Sequence, residues 1–111
     1  MTRHVFHMQV KPDRHERLRE LNEQYDEALR RTASSIDGFG GVEKYVLGDE
    51  YIELIDFDGD FGDFGKQLAA DPEVRQFLRE VGDCFEQSLR DMGGRRMELL
   101  QSLADEPASQ S

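Results

Sequence analysis

His7 and Glu53 are the two side chains of this 111-residue chain whose types and surroundings best suit acid–base chemistry. His7 sits in the alternating stretch His4 to Lys11, on the face that also carries Gln9. An imidazole there suits proton removal from a carbon between two carbonyls, the step that opens an aldol ring closure. Glu53 stands in the middle of Tyr51-Ile52-Glu53-Leu54-Ile55-Asp56-Phe57. In a strand, Tyr51, Glu53, Ile55 and Phe57 share one face, and Ile52 and Leu54 share the other. Read that way, Ile52 and Leu54 face a core. The aromatic and aliphatic wall of Tyr51, Ile55 and Phe57 encloses the carboxylate in a pocket and strips part of its water. Arg96 and Glu98 fall on the pocket face of a last strand, where Arg96 can hold an enolate or phenolate oxygen. Tyr45 and Tyr51 supply hydroxyl donors or aromatic walls. Each residue also has a plainer role. His7 can be an ordinary strand histidine, and Glu53 an interface carboxylate paired with an arginine. Arg96 can sit in a surface ion pair, and the tyrosines can simply pack.

Elements that would position these groups are legible from periodicity. Phe6, Met8 and Val10 alternate with Val5, His7 and Gln9, which predicts a half-buried first strand. Pro12-Asp13 ends it and opens a helix to about Ser35, with Leu18, Leu21, Tyr25, Ala28 and Leu29 on one face. Asp37 to Gly41 reads as a glycine loop, and a second strand runs from Val42 to Leu47. Gly48-Asp49 turns it back into the Glu53 strand as a hairpin. Phe61, Phe64 and Leu68 recur at helical spacing. Asp71-Pro72-Glu73 then restarts a helix, with Asp71 as N-cap. Val74, Phe77, Leu78, Val81, Phe85 and Leu89 line that helix, which Gly93-Gly94 stops. Arg95 to about Ser102 reads as the last strand. The order strand–helix–strand–strand–helix–strand is that of the α+β ferredoxin-like sandwich, βαββαβ. It spans a single domain, 1–103, followed by a polar acidic tail, 104–111, expected to be disordered. In that topology the third strand neighbours the first, which places His7 and Glu53 in one cavity. The sheet face away from the helices, with Val5, Tyr51, Ile55, Phe57 and Leu100, is too apolar to leave in water. A second copy that covers it makes a homodimer.

Composition removes other classes. A formal charge of −10 argues against attraction to nucleic acid or anionic lipid. No apolar run approaches the ~18 residues of a membrane span, and no signal peptide is read, so a cytoplasmic protein is expected. The lone Cys84 allows no internal disulfide and reads as a structural thiol. His4 and His7 point to opposite strand faces, and no cluster has metal-ligand spacing. His7 alone remains as an axial ligand for a haem. The Asp37–Gly41 loop lacks a following lysine and helix, so it cradles no phosphate. Neither metal nor organic cofactor is expected.

Four stretches carry a family resemblance. They are His4 to Pro12, Gly48 to Asp60, Leu68 to Val74, and the strand–helix order over residues 4–102. Together they resemble the dimeric α/β-barrel superfamily of small cyclases and monooxygenases. Within it the chain looks most like the SchA/CurD-like proteins of aromatic polyketide and spore-pigment biosynthesis. The resemblance implies a homodimer acting on a small-molecule polyketide, as a cofactor-independent cyclase or aromatase. A cofactor-free monooxygenase of the same fold, or a non-catalytic polyketide-binding protein, are the alternatives. On the cyclase reading His7 is the base, with Glu53 and Arg96 as partners and Gln9, Tyr45, Tyr51, Ile55, Phe57 and Glu98 around the substrate.

Overall fold

The computed structural model describes residues 2–87. The expected last strand with Arg96, Glu98 and Leu100, the end of the last helix with Leu89, and the tail 104–111 lie outside the described residues. Within them the order is β1 (Arg3–Gln9), α1 (His15–Gln24), α2 (Asp26–Ser34), β2 (Phe39–Leu47), β3 (Glu50–Phe57), α3 (Phe61–Ala70) and α4 (Pro72–Gly82). The three strands form one antiparallel sheet in the order β1-β3-β2. The first strand does neighbour the third.

Helices cover one face of this sheet. His4, Phe6 and Met8 point into it from β1, and Val10 follows them into the core. Phe6 pairs with Glu53 and Met8 with Tyr51, so Tyr51, Glu53, Ile55 and Phe57 lie on that same helix-facing side. The alternation of β3 is as expected, but its orientation is the reverse. Tyr51, Ile55 and Phe57 are buried under the helices, while Ile52 and Leu54 are half-buried on the outer face with Val5. The two aromatic rings and Ile55 remove far more apolar area from water than Ile52 and Leu54 would. The core therefore divides into two clusters. One gathers Met8, Leu21, Tyr25, Tyr51, Phe77 and Phe85, and the other Phe6, Ile36, Ile55, Phe57 and Phe64.

The long first helix is broken at Tyr25, whose φ of −102° and ψ of 9° leave the helical well. The hydrogen bonds from Tyr25 N to Leu21 O and from Leu29 N to Tyr25 O still join α1 to α2 as one bent rod. Tyr25 also anchors the rod, because its hydroxyl donates to Glu80 of α4 at 2.9 Å. β2 starts at Phe39, three residues before the alternation suggested, through a bulge between Phe39 and Gly41. The turn ahead of it needs Gly38: its φ is 92°, and a Cβ there would collide with the Asp58 carbonyl oxygen. Asp71 caps α4 as expected, accepting from Glu73 N and Val74 N, with Pro72 in the first turn. α4 ends at Gly82, well before the expected Gly93-Gly94. Phe85 keeps the helical spacing on paper, but it bridges Val10 at the sheet edge instead. Hydrogen bonds Lys11 N to Cys84 O and Glu86 N to Gln9 O hold that segment beside the end of β1. No helix among the described residues is long and apolar enough to cross a membrane.

Candidate functional site

Across the helix-facing side of the sheet, one row reads Phe6, Glu53, Lys44 from β1 through β3 to β2. Directly opposed residues on neighbouring antiparallel strands have Cβ atoms about 5 Å apart on one face. Glu53 and Lys44 are thus neighbours in the layer between sheet and helices, and both are half-buried. Tyr51, two residues before Glu53, stands on the same face and donates its hydroxyl to Glu53 Oε1 at 2.7 Å. Its ring is buried and packs on Phe85, with centroids 4.9 Å apart. Burial, then the Glu53 charge, then this hydrogen bond push the Tyr51 phenol well above its usual range. Tyr51 therefore stays a hydroxyl and fixes the carboxylate by donating to it.

Lys44 reaches into the same layer. Its Nζ donates to Asn22 Oδ1 of α1 at 2.8 Å and lies 5.1 Å from the centroid of the Phe77 ring on α4. Asn22 is itself held, because its Nδ2 donates to Leu18 O at 2.9 Å. Burial lowers the Lys44 pKa, against the opposing pull of the Glu53 and Asp26 charges. Val42 and Val46 flank Lys44 on the same face of β2 and stay 43% and 49% exposed. Among the described residues the helices thus cover β1 and β3 more fully than the β2 edge of the layer. This edge, hereafter the groove, has Val42 and Val46 exposed at its lip, the half-buried Lys44 and Glu53 behind them, and the buried Tyr51 behind Glu53. A carboxylate oriented by a phenol, in a half-dry groove, can take a proton from an acidic C–H and return it to an oxygen.

His7 is not part of this groove. It pairs with Ile52 on the outer face, and its Nε2 lies 2.9 Å from Glu50 Oε1. The expected His7–Glu53 cavity is overturned by register: the residue opposite Glu53 is Phe6, and a shift of one residue reverses every side chain. Gln9 and Tyr45 are on the outer face too. Gln9 is exposed with its backbone N–H bonded to Gln87, and the exposed Tyr45 donates to Glu43 at 3.1 Å. Glu53 and Tyr51 are brought together, while Ile55 and Phe57 share their face of β3 but serve as core in the other cluster. Among the described residues Glu53 takes a tyrosine hydroxyl as its partner. Arg96 and Glu98 lie outside the described residues. The two other histidines are placed as expected of them. His4 is buried on the face opposite His7, with its ring 4.6 Å from that of Phe61. His15, on α1, sits 2.8 Å from Asp49. Among the described residues no three His, Cys, Asp or Glu side chains converge to hold a metal ion. Sequence reasoning missed Lys44 and Asn22. The available signal was Lys44's place between Val42 and Val46 in the alternation, which puts its ammonium on an apolar face.

No protein-family model matches the chain, and no curated protein matches it significantly. Solved structures do. Tetracenomycin F2 cyclase from Streptomyces glaucescens, a type-II polyketide cyclase, superposes with a TM-score of 0.65 at 17% identity, covering 94% of this chain and 98% of that one. An antibiotic biosynthesis monooxygenase-like protein from Bordetella bronchiseptica gives 0.57 at 17% identity, over 78% of this chain and 86% of that one. L-rhamnose mutarotase from Formosa agariphila gives 0.66 at 13% identity, over 94% and 100%. The chain has the ferredoxin-like α+β fold that these structures share. That fold hosts several chemistries, so the reaction has to be argued from the groove.

Proposed function

We propose that the protein is a cofactor-independent cyclase of aromatic polyketide biosynthesis, working as a homodimer with Glu53 as its base. The observation that carries this reading is the part-buried Tyr51–Glu53 hydrogen bond behind the exposed β2 edge. Glu53 takes a proton from a methylene between two carbonyls of a poly-β-ketone. The resulting carbanion attacks a third carbonyl of the same chain, and a carbon–carbon bond forms. Glu53 then returns its proton to the new alkoxide oxygen. The step is redox-neutral and consumes no co-reactant. Tyr51 holds the Oε1 side of the carboxylate and leaves the other oxygen to meet the substrate. The likeness to a type-II polyketide cyclase supports this class of substrate.

The second reading, a cofactor-free monooxygenase, is favoured by the likeness to the antibiotic biosynthesis monooxygenase-like protein. There the same carbanion would reduce O2. Conversion of a poly-β-ketone or its aromatic intermediate, followed with and without oxygen, separates the two: conversion under nitrogen supports the cyclase, and strict oxygen demand supports the oxygenase. Binding with no conversion in either atmosphere would leave only a polyketide-binding role. The dimer is supported by the outer face, where Val5, Ile52 and Leu54 form a half-buried apolar strip and Tyr45 and Leu47 are exposed. Light scattering at micromolar concentration should give twice the chain mass, and a monomer would refute that part.

A further inference from the structure

The proton chemistry assigned to Glu53 leaves Lys44 unused, although a lysine amine drawn into a sheet–helix layer is a costly thing to keep. We infer that Lys44 is an imine-forming amine, whose Nζ condenses with a ketone of a neutral 1,3-dicarbonyl compound bound in the groove. Four features of the site converge on this. Nζ is held at a fixed point by Asn22 Oδ1 and the face of Phe77. Val42 and Val46, on either side of it along β2, are 43% and 49% exposed, so the amine stands one residue in from the surface edge of the layer. A proton carrier, Glu53, stands directly across the strand pair. Glu53 and Asp26 put negative charge around the amine, which selects a neutral ketone over a keto acid.

Every atom in the condensation is accounted for. The neutral amine attacks the carbonyl carbon, an N–C bond forms, and the C=O π bond breaks. Glu53 relays the first proton lost from nitrogen to the alkoxide, making a hydroxyl, and then the second to that hydroxyl, which leaves as water as the C=N bond forms. With a 1,3-dicarbonyl, a proton then moves from the central carbon to nitrogen and gives a conjugated enaminone. No oxidant or reductant enters. Burial, by lowering the Lys44 pKa, raises the share of neutral amine that can start the attack. The same attachment would serve the proposed cyclase by acidifying the neighbouring C–H, but it does not depend on a ring closure following.

The test uses the full chain and acetylacetone, the smallest such diketone. The chain has only three lysines, Lys11, Lys44 and Lys66, so the adduct can be assigned by peptide mapping. The intact protein should gain the mass of one acetylacetone less one water, with the new near-ultraviolet band of an enaminone. The map should place it on Lys44 before Lys11, the exposed Lys66 or the N-terminal amine react. Lys44→Arg, which keeps the charge, should lose the adduct. Glu53→Gln should slow labelling of Lys44 while leaving Lys66 unchanged. An adduct that favours Lys11, Lys66 or the N-terminus overturns the inference, as does no adduct at all. The wild-type map decides this even if a variant fails to fold. An adduct on Lys44 in a protein that converts no polyketide upholds Lys44 and removes the cyclase. Full turnover by Lys44→Arg with no wild-type adduct does the reverse.

Discussion

The two faces of the sheet use charged groups in opposite ways. On the outer face each charge is matched by a neighbour at the same surface. Arg3 grips Asp56 through two hydrogen bonds of 2.9 and 3.0 Å, and His7 meets Glu50. Such pairs sit in water and contribute little to stability. On the helix-facing side the polar groups are fewer and set among rings. Glu53 has a phenol, and Lys44 has an amide oxygen and a π face. Holding them there costs desolvation that surface pairs avoid. The difference teaches where to look for chemistry: a half-buried amine and carboxylate that are costly to keep are better candidates than a well-paired surface histidine.

The sharpest way to break this comparison is to exchange bases between faces. Glu53→Gln should lower cyclisation turnover by roughly 10²- to 10⁴-fold, the usual worth of a positioned base. His7→Ala should leave turnover close to wild type, because His7 faces away from the groove. A large loss in His7→Ala with a silent Glu53→Gln would move the site to the outer face. The next effect is on stability. Phe6 is fully buried beside Glu53, so Phe6→Ala should cost about 3–5 kcal/mol in denaturant unfolding. In the isolated subunit Leu47→Ser should stay within about 0.5 kcal/mol, since Leu47 is 81% exposed at the hairpin, whereas the proposed dimer predicts a larger cost. A large cost at Leu47 would mean that a partner covers it.

Much of this was legible in the sequence, and the failures have physical causes. Period-two alternation sorted β1 and β3 correctly into face sets, and Asp71-Pro72 marked the start of α4. Alternation says which residues share a face but not which face the helices cover. Register decides that, and the pairing of Phe6 with Glu53 is set by tertiary geometry that spacing does not encode. Weighing apolar volume would have helped: Tyr51, Ile55 and Phe57 outweigh Ile52 and Leu54. Phe85 misled because helical spacing continued past Gly82, where the chain turns to bridge Val10. Lys44 is hard to single out from sequence, because a lysine between valines on a strand is usually solvated.

Lys44 also yields a smaller, opposite stability effect. Its pKa is depressed in the folded chain, so the unfolded chain holds more protons between that depressed value and the ordinary 10.5. In that window stability should rise with pH. Below it, the full penalty of a charged, half-buried amine applies. Lys44→Met should therefore stabilise the protein by about 1 kcal/mol near neutral pH, with the gain shrinking as pH climbs through the window. If Lys44→Met destabilises at neutral pH, the contacts to Asn22 and Phe77 outweigh desolvation, and the contrast between the faces weakens.

The smallest effect tests whether stability and chemistry can be separated. Asp71 lies on neither face, yet it caps the helix that carries Phe77 to Lys44. Its Oδ1 accepts from Val74 N at 3.1 Å and Glu73 N at 2.9 Å. The Val74 bond, helped by the Glu73 bond, the Thr32 side chain and the Arg31 charge, holds its carboxyl below the usual 3.8. A depressed carboxylate stabilises the fold above its unfolded value and loses that contribution as pH falls through the folded one. Asp71→Ala should lower the melting temperature slightly at neutral pH, and Asp71→Asn less, because its amide oxygen still caps. The charge-dependent part of the gap between wild type and either variant should close in acid, as Asp71 itself takes up its proton. Labelling of Lys44 by acetylacetone should stay at the wild-type rate in both variants at neutral pH. Slower labelling with an unchanged melting temperature would mean that the groove depends on the first turn of α4 and not on the strands alone.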